Sequence, residues 1–249
     1  MHFEFAKLSH TGNRSENQDR VAVMSQNGAA LIAVVDGMGG HAEGAAASEA
    51  AIDTFTKAFR DADHPLLDPQ GFLISMLELA HERIVNLGET IAVDHRPRAT
   101  CAICLVQDDS AYCAHVGDSR IYHFRGPTLV SRSRDHSHVE LLLQEGVIEE
   151  GEMKSHPMRN YVECCLGGDR QIPDMSIAAP RRVRLGDVLM VCSDGLWSGV
   201  EDDDLLALAD RETALESALK SITDTAVNNN APHSDNTSAA AVRLDGRTQ

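Results

Sequence analysis

Short, dense apolar runs recur along this chain, and four of them stand beside an aspartate. Leu31–Val35 runs into Asp36 and the turn Gly37-Met38-Gly39-Gly40. Tyr112–Val116 runs into Gly117-Asp118, and Val188–Cys192 into Ser193-Asp194-Gly195. Asp235-Asn236 directly precedes the run Thr237–Leu244. Runs of this length, rich in β-branched residues and bounded by turn residues, predict buried strands. Arg20–Ser25 predicts another, paired with Ala30–Val35 across Gln26–Ala29. Thr100–Val106, Ala111–Val116 and Arg120–Phe124 predict successive antiparallel strands, turned at Asp108-Asp109 and Gly117-Asp118. Ser176–Arg184 and Val188–Cys192 predict two strands around the turn Leu185-Gly186-Asp187.

Helical spacing alternates with these strands. Ala45–Ala58 predicts an alanine-rich helix. Asp68-Pro69 marks the start of a second, with proline at the first helical position. Phe72, Met76, Leu79, Arg83 and Leu87 mark one face of it, which is expected to pack on a sheet. Gly88–Arg98 reads as a loop and Val139–Glu145 as a short helix. Asp202–Ala209 and Thr213–Ala226 read as further helices. Residues 147–163 have weak periodicity and carry Glu149, Glu150, Glu152 and Lys154, which predicts a mobile surface segment. No linker or internal repeat divides the chain, so residues 1–249 are expected to form a single domain. The order of elements predicts a layered α+β fold.

Charge removes some function classes. Lys and Arg number 22 against 38 Asp and Glu, a net charge of 22 − 38 = −16. That argues against a nucleic-acid partner, whose affinity rests on cationic contacts to phosphate. No apolar run is long enough to span a bilayer, and the N-terminal stretch MHFEFAKLSH has no apolar signal core. These features predict a cytoplasmic protein without a membrane partner, its six cysteines free thiols. Cys101 and Cys104 have CxxC spacing, but residues three apart on a strand face opposite ways, which argues against a joint metal site.

The strand-end acids carry the chemistry. A carboxylate at the end of a buried strand is costly unless something pairs with it. Asp36, Asp118, Asp194 and Asp235 would repel one another at a common rim unless a cation joined them. All-oxygen donors of this kind suit the hard ions Mg²⁺ and Mn²⁺.

The motifs around these acids resemble a known family. Ser9-His10-Thr11-Gly12-Asn13-Arg14 with Asn17-Gln18-Asp19 comes first, then Asp36-Gly37-Met38-Gly39-Gly40 and His115-Val116-Gly117-Asp118-Ser119-Arg120. Asp135-His136-Ser137, Leu166-Gly167-Gly168, Ser193-Asp194-Gly195-Leu196 and Asp235-Asn236-Thr237 complete the order. Spanning residues 9–244, the pattern resembles the bacterial metal-dependent serine/threonine protein phosphatases of the PPM (protein phosphatase 2C) family. The resemblance implies an αββα sandwich, two antiparallel sheets with helix pairs outside, and a flap around 147–163. It implies two Mn²⁺ or Mg²⁺ ions and a metal-bridging hydroxide that attacks phosphoserine or phosphothreonine. Asp36 would bridge the ions, the Gly37 carbonyl would reach one, and Asp194 and Asp235 would hold the other. Asp118 would join Asp194 at a third ion. Arg14 would grip the substrate phosphate in preference to Arg20, Asp19 would orient a metal-bound water or Arg14, and Asn236 would position Asp235. Its partners would be phosphoproteins made by a serine/threonine kinase, met by a monomer.

Departures from the family pattern matter. Gln18 stands where the family often has Glu, which weakens a link to metal through water. Ala99-Thr100-Cys101 replaces a common Gly-Thr-Thr, and Ser238 a frequent Thr. Met38 stands where eukaryotic members carry a histidine that protonates the leaving group. His41, three residues on, is the candidate acid.

Two rival readings remain open at this stage. Cys164-Cys165-Leu166-Gly167-Gly168-Asp169-Arg170 fits the C-x-x-G-x-x-R spacing of cysteine-dependent phosphatases. Glu163 and Asp169 there would repel phosphate and raise the thiol pKa. A pseudophosphatase that binds a phosphoprotein without turnover is the non-enzyme alternative. Loss of Asp36, Asp194 or Asp235 would support it, and none is lost.

Overall fold

The computed structural model describes residues 2–38 and 41–246, without the side chains of His41 and Ala42. In chain order its elements are β1 (His2–His10), β2 (Asp19–Gln26), β3 (Ala29–Met38), α1 (His41–Asp61), α2 (Pro69–Leu87), β4 (Arg98–Gln107), β5 (Ser110–Val116), β6 (Arg120–Arg125) and β7 (Thr128–Arg132). Then come α3 (His138–Gln144), β8 (Leu166–Gly167), β9 (Ser176–Ile177), β10 (Arg181–Arg182), β11 (Val188–Cys192), α4 (Asp194–Trp197), α5 (Leu215–Asn229) and β12 (Thr237–Asp245).

Two antiparallel sheets stack face to face. One runs β1-β12-β11-β6-β7; the other runs β10-β5-β4-β3-β2, with β8 added on β4 and β9 on β5. Strand alternation sorts the core into layers. Leu31, Ala33 and Val35 face α1 and α2, meeting Phe55, Phe59, Leu73 and Leu77. Ala30, Ile32 and Val34 face the other sheet, meeting Val191, Ala240 and Val242. That sheet's outer face, with Met190, Cys192 and Ala241, packs on Leu215, Leu219 and Ile222 of α5. The result is the four-layer αββα sandwich, and it explains why 31–35 is apolar without interruption: both of its faces are covered. Cys101 lies in the helix-side core and Cys104 between the sheets, on opposite faces as strand geometry requires. No helix among the described residues is long and apolar enough to cross a membrane.

Several local expectations are corrected. Gly117-Asp118 does not turn a hairpin. β5 pairs with β4, whereas β6 pairs with β11 and β7, so the chain crosses between sheets at this point. Ser176–Arg184 forms two short bridges, β9 and β10, which pair with β5 and not with β11. Residues 202–209 supply only a 3-10 turn, Asp204–Ala209, and α5 begins at Leu215 rather than at Thr213. The buried face of α2 is Leu73, Met76, Leu77, Ala80, His81, Ile84 and Val85, while Leu79 and Leu87 are exposed. Apolar residues on nearly every side of that helix make its face ambiguous from spacing. Asp68 caps the helix as expected, accepting from the Gly71 N–H at 3.0 Å.

Candidate active site

The two sheets present their strand-end acids at one rim. Asp19 opens β2 and stands directly opposite Asp36 near the end of β3; Asp36 faces Thr100 of β4 on its other side. Asp118 sits on the crossover between the sheets, Asp194 at the first turn of α4 after β11, and Asp235 just before β12. Together with Arg14, Gln18, Gly37 and Met38, four of these acids (Asp36, Asp118, Asp194 and Asp235) border a cleft of about 370 Å³. Asn160 and Val162, from the segment expected to form a flap, border it too.

Local structure fixes each position. A Cβ on Gly37 would stand 2.0 Å from the Gly44 carbonyl oxygen, so only glycine lets α1 cross this close to β3. A Cβ on Gly195 would meet the Asn236 carbonyl oxygen at 2.2 Å, which ties the start of α4 to the start of β12. Asn236 is the buckle of the site. Its amide donates to the carbonyls of Thr11 and Glu16 at 2.8 and 2.9 Å, and its Oδ1 accepts from the Gln18 N–H at 2.8 Å. Its own N–H donates to Asp235 Oδ1 at 2.8 Å. One residue thus positions both Asp235 and the loop that carries Arg14.

Arg14 donates through Nη2 to Asp235 Oδ2 at 2.6 Å. Asp235 holds the guanidinium above its ordinary pKa, by hydrogen bond first and charge second. Arg20 instead pairs with Glu49 of α1 and donates to the carbonyls of Asn17 and Asp19. It is committed to the scaffold and does not border the cleft.

The electrostatics of the rim are strained toward a cation. Burial, followed by the charges of Asp19, Asp194, Asp118 and Asp235, pushes Asp36 well above the usual carboxylate range. Burial and then Asp118, Asp235 and Asp19 do the same to Asp194. Asp19 is pushed up to about 6 by burial, although the Ser193 hydroxyl donates to its Oδ2 at 2.7 Å. Asp118 is also raised to about 6, by burial and then by Asp135.

These residues fit a pair of hard divalent ions. The donors are all oxygen. Asp19 Oδ1, beside Asp36 in the sheet, is buried and accepts no hydrogen bond among the described residues, an unsatisfied acceptor behind the cleft lining. No three Asp, Glu, His or Cys side chains among the described residues cage a single point as they stand, and Arg14 holds Asp235 instead.

Sequence reasoning missed the support beneath the acids. The Trp197 indole N–H donates to the Asp118 carbonyl at 3.0 Å. Arg120 lies 3.7 Å over the Trp197 ring and pairs with Asp135 through two hydrogen bonds of 2.8 and 2.7 Å. This stack joins the Asp118 crossover to α4. Thr100 Oγ1 and Ser119 Oγ, 2.8 Å apart and buried, join the same crossover to β4. A lone tryptophan three residues after Asp194 was the available signal.

The cysteine-phosphatase reading fails on geometry. Arg170 pairs with Glu89 at 2.9 Å. The Gly167 N–H donates to His81 Nδ1, the Gly168 N–H to the Pro97 carbonyl and the Asp169 N–H to the Gly167 carbonyl, so these three amides are not free to cradle a phosphate. Burial and the carboxylates Asp174 and Glu163 raise the Cys164 thiol pKa. Gly39 and Gly40, and the side chain of the candidate acid His41, lie outside the described residues.

Comparison with known proteins identifies the family. The family model for protein phosphatase 2C matches residues 8–237. A protein of Streptococcus pyogenes described as a putative protein phosphatase 2C-type is 30% identical over 216 residues, 86% of each chain. The crystal structure of the Mycobacterium tuberculosis serine/threonine phosphatase PstP/Ppp is similar at a TM-score of 0.85 and 28% identity, covering 98% of this chain and 99% of that one. The catalytic domain of PstP in complex with two manganese ions is similar at a TM-score of 0.82 and 27% identity, covering 98% and 99%.

Proposed function

We propose, from the premise that this chain belongs to the protein phosphatase 2C family, that its carboxylate cleft hydrolyses phosphoserine and phosphothreonine in proteins with a definite division of labour. Asp36, the Gly37 carbonyl, Asp194 and Asp235 would hold two Mn²⁺ or Mg²⁺ ions, and Asp118 with Asp194 a third. Such ions lower the pKa of a water, orient it toward phosphorus and offset charge on the phosphoryl oxygens.

The chain's own residues do the rest. Arg14 leaves Asp235 and takes the phosphoryl oxygens in its planar fork. Asp19, paired across the strands with Asp36, would orient either a water at the ions or Arg14. Asn236 keeps Asp235 and the Arg14 loop in register with each other. Met38 borders the cleft and has no proton to give, so His41 supplies the proton to the departing serine or threonine oxygen. The segment 147–163 acts as a flap, bordering the cleft through Asn160. The substrates are phosphoproteins made by a serine/threonine kinase, and the chain meets them as a cytoplasmic monomer.

The convergence of Asp36, Asp118, Asp194 and Asp235 with Arg14 on one cleft carries this reading. The purified protein, assayed on phosphoserine and phosphothreonine peptides, is expected to need added Mn²⁺ or Mg²⁺ and to stop with a chelator. Full activity after exhaustive chelation would overturn it.

A further inference from the structure

We propose that Cys104 and Cys113 form an oxidation site, separate from the carboxylate cleft, that closes into a reversible cross-strand disulfide on exposure to a peroxide. The two residues stand directly opposite each other on β4 and β5. Their sulfurs are 3.1 Å apart. A disulfide bond is about 2.05 Å long, so the pair needs an approach of only about one ångström.

Register favours the link as well. The β4–β5 hairpin closes on Gln107 and Ser110 around the two-residue turn Asp108-Asp109. Counting back from that closing pair, Cys104 and Cys113 occupy a non-hydrogen-bonded position, the kind in which opposed side chains approach most closely. Cys101 faces the helix side of the sheet and cannot compete for either sulfur.

The two thiols differ in access, which sets the order of events. Cys104 is fully buried between the sheets. Cys113 is half-buried and borders a second cleft of about 310 Å³, along with His115, His123, Ile177 and Arg181. A peroxide can therefore reach Cys113 first. The Cys113 thiolate attacks one peroxide oxygen, the O–O bond breaks, and the other oxygen leaves as hydroxide, taking a proton to become water. Cys113 is then a sulfenic acid. The Cys104 sulfur attacks the Cys113 sulfur, the S–O bond breaks, and the hydroxyl leaves as water with the proton of the Cys104 thiol. Two thiols have lost two electrons and two protons, and one peroxide has become two waters. The hydrogen bond with the Cys113 sulfur, and then burial, hold the Cys104 thiol well above its ordinary pKa, in keeping with its acting second. Thiols in a reducing compartment would reopen the link.

The test uses the full chain loaded with Mn²⁺. It is treated with a few equivalents of hydrogen peroxide, alkylated in denaturant and cleaved at Asp108 or Asp109, which separates the two cysteines. A peptide containing Cys104 joined to one containing Cys113 is expected, with two of the six thiols lost and both recovered in dithiothreitol. Cys113→Ser should leave Cys104 reduced. Cys104→Ser, if folded by circular dichroism, should trap Cys113 as a dimedone-reactive sulfenic acid. The proposal falls if Cys113 goes on to sulfinic acid without a link in the wild-type chain. It falls equally if both thiols remain alkylatable when Cys164 and Cys165 are already oxidised.

Discussion

Arg14 and Asp235 lie 221 residues apart in sequence and 2.6 Å apart in the fold. The ion pair joins the residue assigned to substrate with one assigned to metal, so two cations compete for one carboxylate. On the proposed reading, filling the site with divalent ions is expected to release Arg14 toward phosphate.

Arg14→Ala removes both the competitor and the grip. A charge-assisted hydrogen bond is worth about 1.5–3 kcal/mol, so kcat/KM on a phosphopeptide is expected to fall roughly tenfold or more, with KM raised. Mn²⁺ binding, followed by calorimetry, should be as tight as in the wild type or tighter. Weaker Mn²⁺ binding would show that the guanidinium helps build the metal site, contrary to the reading of the pair.

Asp194→Ala and Asp36→Asn should each nearly abolish turnover at saturating metal. Both carboxylates are raised by burial and by neighbouring aspartates, so the metal-free fold bears their repulsion. Melting in the presence of a chelator should therefore show variants at least as stable as the wild type. A clear loss of apo stability would make these acids scaffold and not ligands.

His136 gives a pH dependence of stability. Its Nδ1 accepts from the Gly117 N–H at 3.2 Å, which leaves the proton on Nε2, 2.8 Å from the Ser176 hydroxyl. Burial, and then the His115 ring tilted against it at 4.7 Å between centroids, lowers its pKa to about 4. The unfolded chain takes up this proton near pH 6.5 and the folded chain only near 4, so the contribution is full above about 6.5 and is lost as pH falls through about 4. His136→Asn keeps an acceptor near Gly117 and cannot titrate. The melting-temperature gap between wild type and variant should shrink steadily as pH drops from 7 to 4. A constant gap would mean that the imidazole does not titrate in this window.

Much of this was legible in the chain, for identifiable reasons. Asp36, Asp194 and Asp235 stand out because each adjoins an apolar run, and carboxylates in such places need partners. Asp118 was found at the right place under the wrong geometry. Periodicity identifies β5 and β6 as strands but cannot say which sheet each joins, so a crossover read as a hairpin. β1 and β7 escaped notice because they are edge strands with mostly half-exposed or exposed residues, which removes the dense apolar signal. The Arg120–Asp135–Trp197 stack spans three separate segments, and no local pattern announces it.

Cys164→Ser is expected to leave kcat and KM nearly unchanged on phosphopeptides. Arg170 is paired with Glu89, and the neighbouring glycine amides are already donating within the fold. A folded but inactive variant would restore the cysteine mechanism.

The leaving-group acid offers the sharpest test. A serine alkoxide is far more basic than nitrophenolate, so only the former needs much protonation in the transition state. Met38 borders the cleft and has no proton to donate. His41 follows three residues later, after two glycines, and opens α1. With His41 as the acid, His41→Ala should cut kcat on a phosphoserine peptide much more than on nitrophenyl phosphate. The same variant should lose the fall of the alkyl rate at high pH, since that fall reports deprotonation of the acid. Adding Met38→His to the His41→Ala background should restore part of the phosphoserine activity and little on the aryl substrate. Equal losses on both substrates, or none on either, would exclude His41 and assign the proton to a water in the cleft.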